Sequence, residues 1–190
     1  RNGVNENDYV RAAVLRHPVR DGKPQAKVLS IVGNNDAPGI ENLYCQAKHR
    51  LEPQWPKQQL EALEKHLVSC NPLETTQRRD LSDLEFVSID AAKTQDIDDA
   101  LYAEISSDGW TLYVAIADPT AYIEGGSELQ QYIASRATSV YFHGDVLPML
   151  PEVLSQETCA LSEGADRPAL VCKISVSDAA EVGNFEFIEA

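Results

Sequence analysis

Asp90, Asp96, Asp98 and Asp99 fall within ten positions, inside the stretch VSIDAAKTQDIDDALYA at residues 87–103. The only cation among them is Lys93. Carboxylates crowded in this way repel one another, and two that share a site push one pKa upward. Four hold their charge only when something positive stands between them. Mg²⁺ is the economical candidate, because it takes hard oxygen ligands and keeps several of its waters. Two such ions about 4 Å apart would clamp the attacking and leaving oxygens of a phosphoryl transfer. An acidic pocket could then accept an anionic substrate. An EF-hand fits less well, since Ala100 stands where that loop needs glycine. Phosphatase chemistry of the D-x-D kind also fits less well: its pair should end a buried strand directly, whereas Asp96 follows Lys93-Thr94-Gln95. The plain alternative is a solvated acidic loop, and the pattern alone leaves the metal site and the loop both open.

Elements must hold these residues. LEFVSI (84–89) reads as a short strand, which places Asp90 at its end and the other three aspartates after a five-residue loop. ALYAEIS and WTLYVAIAD read as a hairpin around Ser107-Asp108-Gly109, with Leu101, Ala103 and Ile105 on one face and Leu112, Val114 and Ile116 likewise. Residues 126–139 suit a helix capped by Ser127. LPMLP (147–151) must be an ordered loop, because its prolines forbid a regular helix. PEVLSQETCAL follows as a short helix, and PALVCKISVS and GNFEFIEA as strands. Upstream, residues 8–32 read as two strands around HPVRDGKP, and residues 53–70 as a helix with Pro56 in its first turn and an apolar stripe of Leu60, Leu63 and Leu67. Residues 71–83 are a polar connector that holds a domain boundary. The fold class expected is α+β.

Charge separates the two ends of the chain. Residues 1–80 carry 12 Lys/Arg against 10 Asp/Glu, and residues 81–190 carry 4 against 20. The acidic part should repel nucleic acid unless cations intervene; as an ordinary solubilising surface it would carry no such meaning. An apolar content of 43% supports a packed core and argues against wholesale disorder. Cys45, Cys70, Cys159 and Cys172 form no C-x-x-C pair, so neither a zinc site nor a dense disulfide framework is indicated; reduced, mostly buried thiols are expected. His66 lies beside the Leu stripe with no partner nearby and reads as a packing or surface residue. No apolar run approaches a membrane span of about 18 residues. With no signal peptide at its start, a cytoplasmic protein is expected. The chain opens on Arg1 rather than Met, which suggests a fragment, a processed form or a trimmed chain.

SIDAAKTQDIDDALYA, then YVAIADPTAYI, then VYFHGDVLPMLP together resemble the catalytic (RNB) domain of the ribonuclease II family of exoribonucleases, from about Asp80 onward, with bacterial ribonuclease II as the nearer branch. The stretch from DYVRAAVLRHP to SIV resembles the last strands of the cold-shock (OB-type) barrel that precedes that domain. The resemblance implies three parts: 1–50 as the end of the barrel, 51–82 as a helical linker and 83–190 as the first part of the catalytic domain. It implies a monomeric enzyme that hydrolyses single-stranded RNA from the 3′ end to 5′-mononucleotides. Mg²⁺ would be its cofactor, replaceable by Mn²⁺, with no small-molecule cofactor and no membrane partner. Asp90, Asp96, Asp98 and Asp99 would be the metal ligands, with Asp99 most needed for chemistry and Asp98 beside it. Tyr141 would stack on the 3′-terminal base; by its residue type alone it reads as a half-buried core aromatic. Asp118 in IADPT reads as a turn cap, and Arg136 as a contact to phosphate or to a surface acid. The family's later arginine, glutamate and second stacking aromatic have no counterpart here, so the isolated chain is expected to be inactive or nearly so. A non-catalytic RNA- or protein-binding module that keeps the fold is the alternative.

Overall fold

The computed structural model describes residues 3–74 and 77–190. The chain divides into two units, Arg1–Trp55 with Tyr141–Leu147, and Pro56–Val140 with Pro148–Ala190. The grouping places residues 141–147 with the first unit, whereas the sequence reading sets them within 83–190. No helix among the described residues is long and apolar enough to cross a membrane.

In the first unit, β1 (Asp8–Arg16) pairs antiparallel with β2 (Gln25–Asn34). Their connection carries one helical turn, α1 (Pro18–Asp21), whose His17 Nδ1 accepts from the Val19 amide at 3.3 Å. The helix α2 (Ile40–His49) was not anticipated, although Ile40, Leu43 and Tyr44 repeat at helical spacing. It lies close over β2: a Cβ on Gly33 would stand 2.7 Å from Ile40 Cδ1. The Tyr44 ring sits 5.1 Å from that of Tyr9 on β1. The ribbon of β5 (Val140–Phe142) and β6 (Asp145–Leu147) turns at Gly144, where φ is +74° and glycine is the natural residue. The side-chain amide of Asn42 donates to His143 O at 3.5 Å.

In the second unit, α3 (Lys57–Ser69) starts one residue after Pro56, which is its N-cap, and stops before Asn71-Pro72. Within its stripe Leu63 is the buried member. It packs against α4 (Glu128–Arg136), whose Ser127 Oγ accepts from the Gln130 amide at 3.1 Å as a cap should. The helix expected after Pro151 is a π-helical turn, Val153–Thr158, with Leu154 fully buried. The polar connector contains Thr75 and Thr76, which lie outside the described residues.

A four-stranded antiparallel meander carries the second unit: β3 (Asp99–Ser106), β4 (Gly109–Ala117), β7 (Ala169–Ser177) and β8 (Val182–Glu189), in that spatial order. Gly109 turns β3 into β4 at φ +136°, and a Cβ there would come within 2.2 Å of Val176 O. The core is Ala100, Tyr113, Ala115, Ala169, Val171 and Ile188, covered by Leu81, Leu84 and Phe86. Strand alternation therefore puts Leu101, Ala103, Ile105, Leu112, Val114 and Ile116 on one face as expected, but on the face away from this core.

LEFVSI is not a strand. Phe86 N–H donates to Leu84 O at 2.8 Å, a three-residue turn that breaks the extended run. Only Val87 then reaches β3, through one isolated bridge to Leu101. Asp90 consequently follows a loop rather than a strand. The four cysteines are free, but only Cys159 is buried; Cys45, Cys70 and Cys172 are half-buried.

Candidate active site

The aspartate loop is tied down by its backbone. Thr94 N–H donates to Ala91 O at 2.9 Å and forms a turn. Ile97 O accepts from Leu161 N–H and Asp98 O from Ala117 N–H, each at 2.8 Å. Asp99 then opens β3, paired with Ile116 of β4. Asp96, Asp98 and Asp99 are thus delivered to one end of the sheet, with Asp90 close by across the turn.

All four aspartates are exposed, and none forms an ion pair with a described cation, Lys93 included. The Asp98 carboxyl is held above the usual carboxylate value, first by partial desolvation and then by the charges of Asp96, Asp99 and Asp90, while its own backbone amide opposes the shift. The four are therefore electrostatic neighbours. Among the described residues, however, no three His, Cys, Asp or Glu side chains stand in an arrangement that could hold a metal ion. The loop brings the carboxylates near one another without assembling them into a cage. Their chemistry fits a hard divalent cation: oxygen donors only, high charge and no ion pair to a described cation.

Tyr141 lies on β5, in the first unit, with 73% of its surface exposed. That exposure excludes a core-packing role and leaves the ring free for stacking. Asp118 does cap the next turn, Pro119–Tyr122: its carboxylate accepts from Thr120 N–H at 3.1 Å. Its second partner, which no local pattern signals, is Arg78, whose Nη2 donates to Asp118 Oδ2 at 2.6 Å. Burial pushes the Asp118 carboxyl up, but the Thr120 hydrogen bonds and the Arg78 guanidinium outweigh it and hold the pKa below the ordinary value. Arg78 Nη1 also donates to Ala190 O at 3.2 Å, and Asp118 N–H to Pro168 O at 3.0 Å, so the pair gathers the ends of β4, β7 and β8. Arg136 Nε donates to Pro148 O at 3.0 Å and the guanidinium lies over the Tyr132 ring. Cys159 is no nucleophile, because burial pushes its thiol up to about 12.

An α+β unit with an acidic loop at the end of an antiparallel meander, preceded by a β-hairpin unit, is the class that fold and site define. The RNB domain family model matches residues 78–190 and the cold shock domain model matches residues 1–56. The chain belongs to the RNB domain family. It is 38% identical over 169 residues to ribonuclease R of Vibrio parahaemolyticus, a match covering 86% of this chain and 20% of that protein. It is 38% identical over 175 residues to exoribonuclease 2 of Proteus mirabilis, covering 91% of this chain and 26% of that one. The two branches thus match at equal identity. The fold superposes on Mycoplasma genitalium RNase R in complex with ribose-methylated single-stranded RNA with a TM-score of 0.80 and 26% identity, covering 99% of this chain and 29% of that one. It also superposes on yeast Ssd1, described as a pseudonuclease, with a TM-score of 0.69 at 16% identity, a likeness of fold alone, over 97% of this chain and 24% of that one. The chain spans about a quarter of the length of the two curated relatives.

Proposed function

We propose that this chain is the metal-binding portion of a 3′-to-5′ exoribonuclease that hydrolyses single-stranded RNA to 5′-mononucleotides. The observation that carries the proposal is the loop of Asp90, Asp96, Asp98 and Asp99, four neighbouring carboxylates that form no ion pair with a described cation, in a chain of the RNB family. Asp90, Asp96, Asp98 and Asp99 would hold Mg²⁺, or Mn²⁺ in its place. Bound divalent ions supply Lewis-acid polarisation of a phosphoryl oxygen and an acidified water. The chain's own residues do the rest. The loop backbone, held at Ile97 and Asp98, orients the carboxylates at the end of β3. Asp99, fixed by strand pairing, is the carboxylate most needed for chemistry, with Asp98 next to it. Tyr141 stacks on a base near the 3′ end, a contact that tolerates any base. Single-stranded RNA in the complex with the Mycoplasma relative supports this substrate class.

The 190 residues alone should turn over little or no RNA, a reading supported by their small share of each relative's length. Incubation of the purified chain with oligo(A) and Mg²⁺ should leave the oligomer essentially intact; hydrolysis at an ordinary enzymatic rate would overturn this part. The site itself is tested by thermal melting with Mn²⁺ or Mg²⁺. At a hundred times Kd, binding to the folded state adds about 2.7 kcal/mol, which raises the midpoint by roughly 5–10 °C for a chain of this size. Asp98→Asn and Asp99→Asn should each remove most of that rise. The second reading is a non-catalytic RNA- or protein-binding module that keeps the fold. A wild-type midpoint that ignores both ions would replace the first reading with the second.

A further inference from the structure

We propose that Arg167 is a positioning residue for the aspartate loop: through the one peptide unit that joins Ala160 to Leu161 it fixes the Ile97 carbonyl, and with it the aim of Asp96 and Asp98 on either side. The inference rests on the reading of that loop as a metal site.

The π-helical turn Val153–Thr158 closes with Cys159 N–H donating to Leu154 O at 2.8 Å. A helix end leaves carbonyls without intrahelical donors, and here a side chain from further along the chain supplies them. Arg167 Nη2 donates to Glu157 O at 3.0 Å, and its Nε donates to Ala160 O at 3.3 Å. Ser162 N–H shares the Ala160 oxygen at 2.8 Å. Arg167 Nη1 donates to Asp166 O at 3.4 Å. Among the described residues Arg167 forms no ion pair, although residues 81–190 hold 20 Asp/Glu. Its donors go to backbone oxygens instead. A planar fork of N–H groups suits that task, because it reaches two carbonyls at fixed angles where a lysine presents a single point.

The Ala160 oxygen belongs to the same planar peptide as the Leu161 N–H. That N–H donates to Ile97 O at 2.8 Å. One rigid unit therefore carries the guanidinium on one side and the aspartate loop on the other, and hydrogen bonds in such a chain polarise one another. Ile97 stands between Asp96 and Asp98, so a rotation of its carbonyl re-aims both carboxylates. Arg167 is itself fixed from behind. Pro168 is fully buried, and its carbonyl accepts from Asp118 N–H at 3.0 Å; Ala169 then opens β7 beside Ala117. Ala117 N–H holds Asp98 O. Both tethers of the loop thus trace back to the same end of the sheet.

Two measurements on the purified chain test this. Amide hydrogen exchange in EDTA reads the tether without metal or RNA. In Arg167→Gln the Leu161 amide should gain about ten-fold or more in exchange rate over that of Val114, which is paired on both sides in mid-sheet. Equal acceleration at both amides overturns the proposal, because Arg167 then supports the whole fold and not this contact. Mn²⁺ affinity, from electron paramagnetic resonance of the free ion, reads the consequence. Arg167→Gln should raise Kd about ten-fold or more, the scale on which groups that orient metal ligands act. Gly109→Ala, which lies beside Ser106 at the opposite end of β3 from Asp99, should lower stability and leave Kd unchanged. An unchanged Kd in Arg167→Gln overturns the proposal, and so does an equal loss in Gly109→Ala. Arg167→Lys should not recover the affinity; recovery would assign the effect to charge in place of the fork and overturns it too. If Arg167→Gln does not fold, Arg167→Lys is read by the same two measurements with the same expected changes. A wild-type chain that ignores Mn²⁺ sinks the exoribonuclease reading, and the exchange ratio then decides the proposal by itself.

Discussion

Removing the Asp98 charge should stabilise the metal-free chain. Desolvation and three like-charged neighbours raise this carboxyl above its ordinary value, so the folded state takes up its proton more readily than the unfolded chain does. The stability linked to that proton is fully present below the unfolded value of 3.8 and is lost as pH rises through the higher folded value. Asp98→Asn should therefore raise stability at neutral pH in EDTA, by about 0.5 kcal/mol or less for so exposed a charge, measured by urea denaturation. The same variant should bind Mg²⁺ worse, because the repulsion it relieves is what the cation would neutralise. Asp118 has the opposite sign. Its carboxyl is held below 3.8, so its contribution is present above that value and is lost as pH falls through the lower folded one.

Among the elements, the end of the sheet that carries the aspartates is held by one ion pair. Both Arg78 and Asp118 side chains are 14% exposed, and removing either leaves the other charged and largely desolvated. Arg78→Met should cost about 2–3 kcal/mol in chemical denaturation, somewhat less than for a fully buried pair. Because Ala117, next to Asp118, donates to Asp98 O, the Ala117 amide should also exchange faster with solvent in that variant. Gly109→Ala should cost about 2–3 kcal/mol, since φ is +136° and the new methyl meets Val176 O at the strand pairing. Its effect should appear as a lowered melting temperature with the Mg²⁺ response intact. The strands of the meander were legible because each alternates over eight or nine residues. LEFVSI alternates too, but a strand exists only where a neighbouring edge accepts its hydrogen bonds, and after the turn at Leu84 only Val87 meets one.

For the whole molecule, the uneven charge bears on the proposed binding of RNA. With 4 Lys/Arg against 20 Asp/Glu in residues 81–190, this part repels phosphates at long range, and salt screens that repulsion beyond a Debye length of about 10 Å. Binding of fluorescein-labelled oligo(A), followed by anisotropy, should be weak in EDTA. At constant ionic strength Mg²⁺ should strengthen it about ten-fold or more, and Asp98→Asn or Asp99→Asn should abolish the gain. An equal gain from monovalent salt alone would show general screening in place of a metal site.

The acidic loop, the hairpins, the Ser127 cap and the stop at Asn71-Pro72 were all determined by the sequence, because each depends on residues within a few positions of one another. Local order also grouped Leu101, Ala103 and Ile105 on one face. Which face would be buried was decided elsewhere, by Leu81, Leu84 and Phe86 folding back over Ala100 and Ala115. The Arg78–Asp118 pair joins residues 40 apart, and no local pattern encodes it. The same holds for the aspartates: the sequence placed four like charges on one loop, while the angles at which backbone pairing delivers them belong to the tertiary structure. Periodicity is a property of neighbours along the chain, whereas burial and pairing are properties of whatever arrives from a distance.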